Sequence, residues 1–216
     1  MRDIVIARKS MLVFTVIALI GVGCDRGHTK KPVIMLQTER GDIKIEIYSQ
    51  KAPLTAGNFL RYVDEGRFSS VSFYRTVRLD NQPNDIVKIE VVQGGMGFVE
   101  SDARLPPIAH ETTAQTGIRH KDGIISMARA APGTASSEFF ICIGDQPELD
   151  YGGKRNPDGQ GFAAFGRVVA GMDVVRMIHG EPAKGQMMVK PVGISVVQRI
   201  DKHDLGSDTA HAGGEE

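Results

Sequence analysis

The sequence predicts a mainly β domain of about eight strands and two helices, either a closed antiparallel barrel or a sandwich. Three observations predict it. Ile43, Ile45 and Ile47 alternate with Lys44, Glu46 and Tyr48, the period-two pattern of a half-buried strand. Short β-rich runs recur along the chain, separated by Gly, Pro, Asn and Asp. The 25 Gly and 10 Pro among 216 residues are more turn chemistry than a helical bundle uses. Pattern alone does not choose between barrel and sandwich.

The elements follow in order. Arg2, Arg8 and Lys9 precede an uncharged apolar run, Met11 to Val22. A membrane-spanning helix needs about 20 apolar residues, so this run is short for one. A basic start, a short apolar core and small residues before a break make residues 1–23 an expected signal peptide. Gly23-Cys24 resembles a bacterial lipoprotein cleavage box, although Gly21 stands where Leu, Val or Ile is usual. The expectation is a lipid on Cys24, membrane attachment through it, and export to the periplasm or cell envelope. Residues 24–32 read as a linker, 33–201 as one domain, and 202–216, small, polar and acidic, as a disordered tail.

Within the domain, two strands flank a turn at Arg40-Gly41-Asp42. A helix follows, with Pro53 in its first turn, Leu54, Asn58, Phe59, Tyr62 and Val63 at helical spacing, and Gly66 as its stop. Strands are expected near 71–77, 87–92, 124–128, 139–143, 163–168 and 193–199. A second helix is expected over 171–179, ending at Gly180 and Pro182. No further amphipathic helix offers an interface, so a monomer is expected.

Composition excludes several classes. Lys plus Arg and Asp plus Glu are both 26, so no excess of positive charge points to nucleic acid. Two cysteines, Cys24 and Cys142, are too few for a disulfide scaffold or a four-Cys zinc site. Cys142 in the run FFICI reads as a small buried hydrophobe. His110, His120, His179, His203 and His211 lack metal-ligand spacing, so neither metal nor cofactor is expected. Glu90, Glu138 and Glu148 scatter along strands and loops, which suits solvated faces better than a hydrolytic pair.

Several segments, in order, carry a resemblance: PLTAGNF (53–59), FYRTV (73–77), VVQGG (91–95), GIISMARA (123–130), SSEFFICIGDQPELD (136–150) and FAAFGRVVAGMDVV (162–175). Together they resemble the cyclophilin family of peptidyl-prolyl cis-trans isomerases over essentially all of 33–201. The resemblance implies a closed eight-stranded antiparallel barrel capped by two helices, with the active groove on its outer face. It implies that proline-containing polypeptides are the substrates. Arg75 of F-x-R falls on the family's catalytic arginine and Gln93 on its groove glutamine. Val91, Met127, Phe140, Leu149 and Phe162 fall where an apolar slot for the proline ring is expected. Met127, Ala128, Arg129 and Ala130 form the strand whose backbone would hold the peptide, and Glu138 stands where the family has Gln.

The sequence also departs from the family's pattern. Glu90 replaces a Phe, Arg129 an Asn and Phe162 a His, and Glu148 occupies the place of a Trp. Without the indole, cyclosporin is expected to bind weakly. The loops 78–88 and 150–161 are longer than in compact members. The chemistry suits the residues: rotating an X-Pro bond costs about 18–20 kcal/mol and breaks no bond. A guanidinium donor aimed at the prolyl nitrogen favours the twisted state. A proline-peptide-binding module or chaperone of this fold with little turnover is the alternative.

Overall fold

In the computed structural model, residues 31–98 and 100–201 are described. The expected signal peptide, Cys24, most of the linker and the tail at 202–216 lie outside the described residues. Strands β1 (Val33–Thr38) and β2 (Gly41–Ile47) form a hairpin, then helix α1 (Pro53–Asp64) leads to β3 (Val71–Val77) and β4 (Val91–Gly95). Helix α2 (Thr113–Thr116), β5 (Ile124–Met127), β6 (Phe139–Cys142), β7 (Ala163–Ala170), α3 (Met172–His179), β8 (Ala183–Lys184) and β9 (Met187–Ile200) follow.

The strand order is β1-β2-β7-β5-β6-β4-β3-β9, and β1 pairs with β9 as well. Every pairing is antiparallel, so eight strands close into a barrel. The two-residue β8 only forms a hairpin with the start of β9. Closure removes sheet edges, the liability of open β structures.

The alternation read in the first hairpin is real burial: Ile43, Ile45 and Ile47 are completely buried in the barrel core. The tight turn falls one residue earlier than expected, at Glu39-Arg40, because Gly41 already pairs with Thr38. Helix α1 packs against β7 and β9, and its Phe59 ring meets Phe68, Phe139 and Phe165. Its first turn has Pro53 but no side-chain cap of its own. Glu111 supplies one from far away, accepting from the Leu54 and Thr55 N–H groups at 3.2 and 2.6 Å. A carboxylate at a helix start satisfies orphan donors and complements the dipole. Helix α3 packs against β2, β3 and β4.

Two expectations need correction. Among the described residues there are three α-helices, not the two expected. The third, α2, is a single turn held by a capping box between Thr112 and Gln115 and stopped by Gly117. The strand expected near 87–92 begins only at Val91. The Gln82 amide takes both Ile89 backbone groups, donating to its carbonyl at 2.8 Å and accepting from its N–H at 3.2 Å. A side chain thus replaces a ladder partner, and the segment before Val91 stays out of the sheet.

Candidate active site

Alternation gives β3, β4 and β6 two faces. Phe73, Val92, Phe139 and Ile141 point into the barrel core. Val77, Val91, Phe140 and Cys142 point outward and, with Ile89 and Leu149, form a second apolar cluster on the barrel's outer face. Ala128 and Phe162 pack against it. Beside this cluster lies a groove of about 550 Å³.

At its floor, Arg75 on β3 is held from two sides. Its Nη1 donates to Gln93 Oε1 at 2.7 Å, and its Nε and Nη2 donate to Gln186 Oε1 at 3.1 and 2.5 Å. A break in register explains how β3 delivers it. Phe73 faces Gly94 and Arg75 faces Gln93, so Tyr74 is an extra residue on β3, a β-bulge. The same break occurs against β9, and there the Thr76 N–H donates to the Gln186 carbonyl at 2.9 Å. That bond brings the β8–β9 turn, and with it the Gln186 side chain, up to Arg75. Burial first, then the nearby Arg155, pulls the Arg75 guanidinium below its usual range.

The Gly94-Gly95 pair belongs to β4 itself. A Cβ on Gly94 would meet the Ser72 carbonyl at 2.8 Å, and one on Gly95, where φ is +142°, would collide with the Glu138 carboxylate. Only glycine lets Glu138 lie against this strand.

Ten of the eleven residues expected at the site line the groove: Arg75, Gln93, Val91, Ala128, Arg129, Ala130, Glu138, Phe140, Leu149 and Phe162. Met127 does not. It shares the inward face of β5 with Ile125 and sits in the barrel core. Arg129 and Ala130 line the groove differently from a bare backbone edge. The Arg129 guanidinium is buried, donates to the Gly161 carbonyl and to Asp158 at 2.9 Å, and lies 5.2 Å from the Phe162 ring centre. It ties the lengthened 150–161 loop to the strand and covers one face of Phe162. The Ala128 and Ala130 N–H groups already donate to the Glu138 carbonyl and to Thr134.

Sequence reasoning missed further groove residues, Ile89, Arg104 and Arg155 among them. Ile89 supplies apolar surface beside Val91, next to the position where Glu90 replaced an expected Phe. Arg104 donates to Glu138 at 3.3 Å. Arg155 donates to the Val87 carbonyl at 2.6 Å and to Asp85 at 3.2 Å, so it fastens the two lengthened loops together at the groove edge. Gln186, also missed, does not line the groove but reaches the site through Arg75. Both arginines and Gln186 lie in loops, where no periodicity marks them.

Behind the slot, the buried His120 ring lies 6.0 Å from Phe140, nearly parallel to it. His120 faces Asp150 Oδ1 through Nδ1 at 2.8 Å and Ser126 Oγ through Nε2 at 3.0 Å. The order resembles a hydrolase triad, but Ser126 is completely buried and none of the three lines the groove. They brace Phe140 and, through Asp150, the adjacent Leu149. Burial pushes the Asp150 carboxyl up, but hydrogen bonds from the His120 ring and backbone outweigh it, so the net shift is downward. A carboxyl depressed in the fold adds stability above its ordinary value and loses it as pH falls through the depressed one. Urea midpoints should therefore fall below about pH 4, and Asp150→Asn should lower the neutral-pH midpoint while flattening that acid limb. An acid limb of unchanged steepness in Asp150→Asn would refute the assignment.

Burial pushes the Cys142 thiol well up, so it is a neutral wall residue. Among the described residues no group of three His, Cys, Asp or Glu side chains is placed to hold a metal ion.

An outer-face groove pairing a fixed guanidinium with an apolar slot suits an extended peptide with a small ring. Residues 33–199 match the family model described as cyclophilin type peptidyl-prolyl cis-trans isomerase/CLD. The chain is 34% identical over 170 residues to peptidyl-prolyl cis-trans isomerase A of Dickeya dadantii, covering 77% of this chain and 80% of that one. It is 33% identical over 182 residues to a peptidyl-prolyl cis-trans isomerase of Acinetobacter baylyi, covering 82% and 88%. A crystal structure of a Cryptosporidium parvum cyclophilin type peptidyl-prolyl cis-trans isomerase superposes with a TM-score of 0.61 at 20% identity, covering 79% of this chain and 98% of that one. The same protein in the presence of the dipeptide Ala-Pro gives 0.60 at 21% identity, covering 78% and 99%. These solved structures bear on the fold. The chain belongs to the cyclophilin family, and its enzyme class is peptidyl-prolyl cis-trans isomerase.

Proposed function

We propose that the groove accelerates X-Pro rotation in extended client polypeptides with Arg75 as the catalytic donor. The observation that carries this is the guanidinium fork held by Gln93 and Gln186 beside the Val91, Phe140, Leu149 and Phe162 cluster. The proline ring sits in that cluster, where Phe140 and Phe162 meet edge to face at 5.2 Å. The presence of Ala-Pro with the Cryptosporidium relative supports a proline-bearing ligand. In the planar ground state the prolyl nitrogen lends its lone pair to the carbonyl. As the bond twists, the lone pair returns, and an Arg75 N–H donates to it. The interaction exists only in the transition state, so it speeds rotation instead of tightening binding. Gln93 keeps the fork aimed. The Arg129 N–H and the carbonyl oxygens of 128–130 offer strand-like pairing to the client. The test is exchange NMR of an Ala-Pro peptide with the full chain. Catalysed exchange supports the reading, whereas peptide binding without it would support the binding-module alternative.

The cellular setting belongs to the same proposal. The basic start, the apolar run and Gly23-Cys24 support export, with lipid on Cys24 anchoring a monomeric isomerase at the membrane. Wild type and Cys24→Ala, expressed with a clickable fatty acid, should label strongly and not at all, respectively. Equal labelling would rule the anchor out.

A further inference from the structure

At the groove floor four side chains form one directed chain of hydrogen bonds. Arg75 carries donors only, and a carboxylate only accepts. The Gln93 atom 2.7 Å from Arg75 Nη1 is therefore its oxygen. Its Nε2 then faces the Tyr74 hydroxyl, also at 2.7 Å, and donates to it. The hydroxyl directs its own proton to Glu138 Oε2 at 2.5 Å. The polarity of the chain is thus fixed at both ends.

Glu138 is itself anchored. Its Oε1 accepts from Ser137 at 2.9 Å and Arg104 at 3.3 Å, and its Oε2 also accepts from the Gly97 N–H at 3.3 Å. Both oxygens are engaged within the protein, which argues against the substrate contact expected from sequence. Burial, and then the hydrogen bond to Glu138, push the Tyr74 phenol up, so it keeps the proton it donates. The bulge that inserts Tyr74 into β3 opposite Gln93 makes the chain possible.

We infer that Tyr74 and Glu138 are positioning residues for the isomerisation, locking the Gln93 amide so that its oxygen steadies the Arg75 fork. Tyr74 does not line the groove, and the Glu138 oxygens are turned to donors within the protein. Hydrogen bonds in a directed chain polarise one another, and a charged acceptor at the end strengthens those before it. A fork that rocks loses its aim at a nitrogen that becomes an acceptor only when twisted.

The inference rests on Arg75 being the catalytic donor, and the experiment separates the two claims. Exchange NMR and peptide titration are run on the full chain as wild type, Tyr74→Phe, Glu138→Gln, Arg75→Ala and the Tyr74→Phe/Arg75→Ala double variant. Tyr74→Phe should lower kcat about tenfold with KM within about twofold. Glu138→Gln, which keeps shape and removes charge, should lower kcat about threefold to fivefold with KM again unchanged. Were Tyr74→Phe not to fold, Glu138→Gln carries the test. In the Arg75→Ala background, Tyr74→Phe should cost less than about twofold, because a residue acting through Arg75 has nothing left to position. Three results overturn the inference: kcat within about twofold of wild type in the folded single variants, a loss confined to KM, or the same tenfold loss with Arg75 absent. If Arg75→Ala is impaired and these variants are not, only the positioning role fails. If Arg75→Ala is itself unimpaired, the catalytic assignment fails and the positioning role falls with it.

Discussion

Arg75→Ala should lower kcat/KM by about 2–4 kcal/mol, the range for removing one preorganised transition-state donor. That is roughly a 30- to 900-fold loss. The loss should fall on turnover, leaving peptide affinity within about twofold of wild type, because the donor meets its acceptor only in the twisted state. Arg75→Lys should recover little. One ammonium cannot donate to Gln93, to Gln186 and to the prolyl nitrogen in the geometry that Nη1, Nε and Nη2 give the fork. Val91→Ala provides the contrast: it trims the apolar cluster, removes no donor, and should weaken binding more than turnover. The measurements are exchange NMR for rate and a titration for affinity. An exchange rate in Arg75→Ala within about twofold of wild type, roughly 0.4 kcal/mol, would refute the catalytic assignment.

Strand identity was legible where burial is local. Ile43, Ile45 and Ile47 announce an inward face, and the barrel buries all three. Closure was not legible, since β9 pairs with β1 and β3 across most of the chain and no local pattern encodes that order. The late start of β4 depends on one glutamine, Gln82, capturing the Ile89 backbone, which looks like ordinary loop composition. The site divides in the same way. Arg75, Gln93 and the apolar positions sit in ordered motifs, and the structure places them along one groove. Tyr74 was missed because period-two reasoning sends the neighbour of Arg75 to the opposite face, and only the bulge turns it back. Met127 was misplaced for the opposite reason: motif order put it in the slot, while plain alternation with Ile125 sends it inside.

Adjacent residues on β6 test that division of faces. Phe139 and Phe140 are neighbours with similar burial, yet they belong to different clusters. Phe139 points into the barrel, where its ring meets Phe59, Phe68 and Phe73 edge-on at 5.8, 6.3 and 5.8 Å. Truncating it to Ala removes the shared partner of three rings, and the closed sheet around it leaves little room to collapse. Phe139→Ala should therefore cost about 3–5 kcal/mol of stability, a large share of the roughly 5–15 kcal/mol that holds a domain folded. Phe140→Ala opens its space onto the groove, where water enters at no cavity cost. It should lose clearly less stability but weaken proline-peptide binding, since Phe140 and Phe162 wall the slot. Urea unfolding and peptide titration of the two variants should show opposite rankings. Equal losses of stability would mean that the β6 faces are not separated as the strand pairing requires, and the placement of the groove on the barrel's outer surface would fall with them.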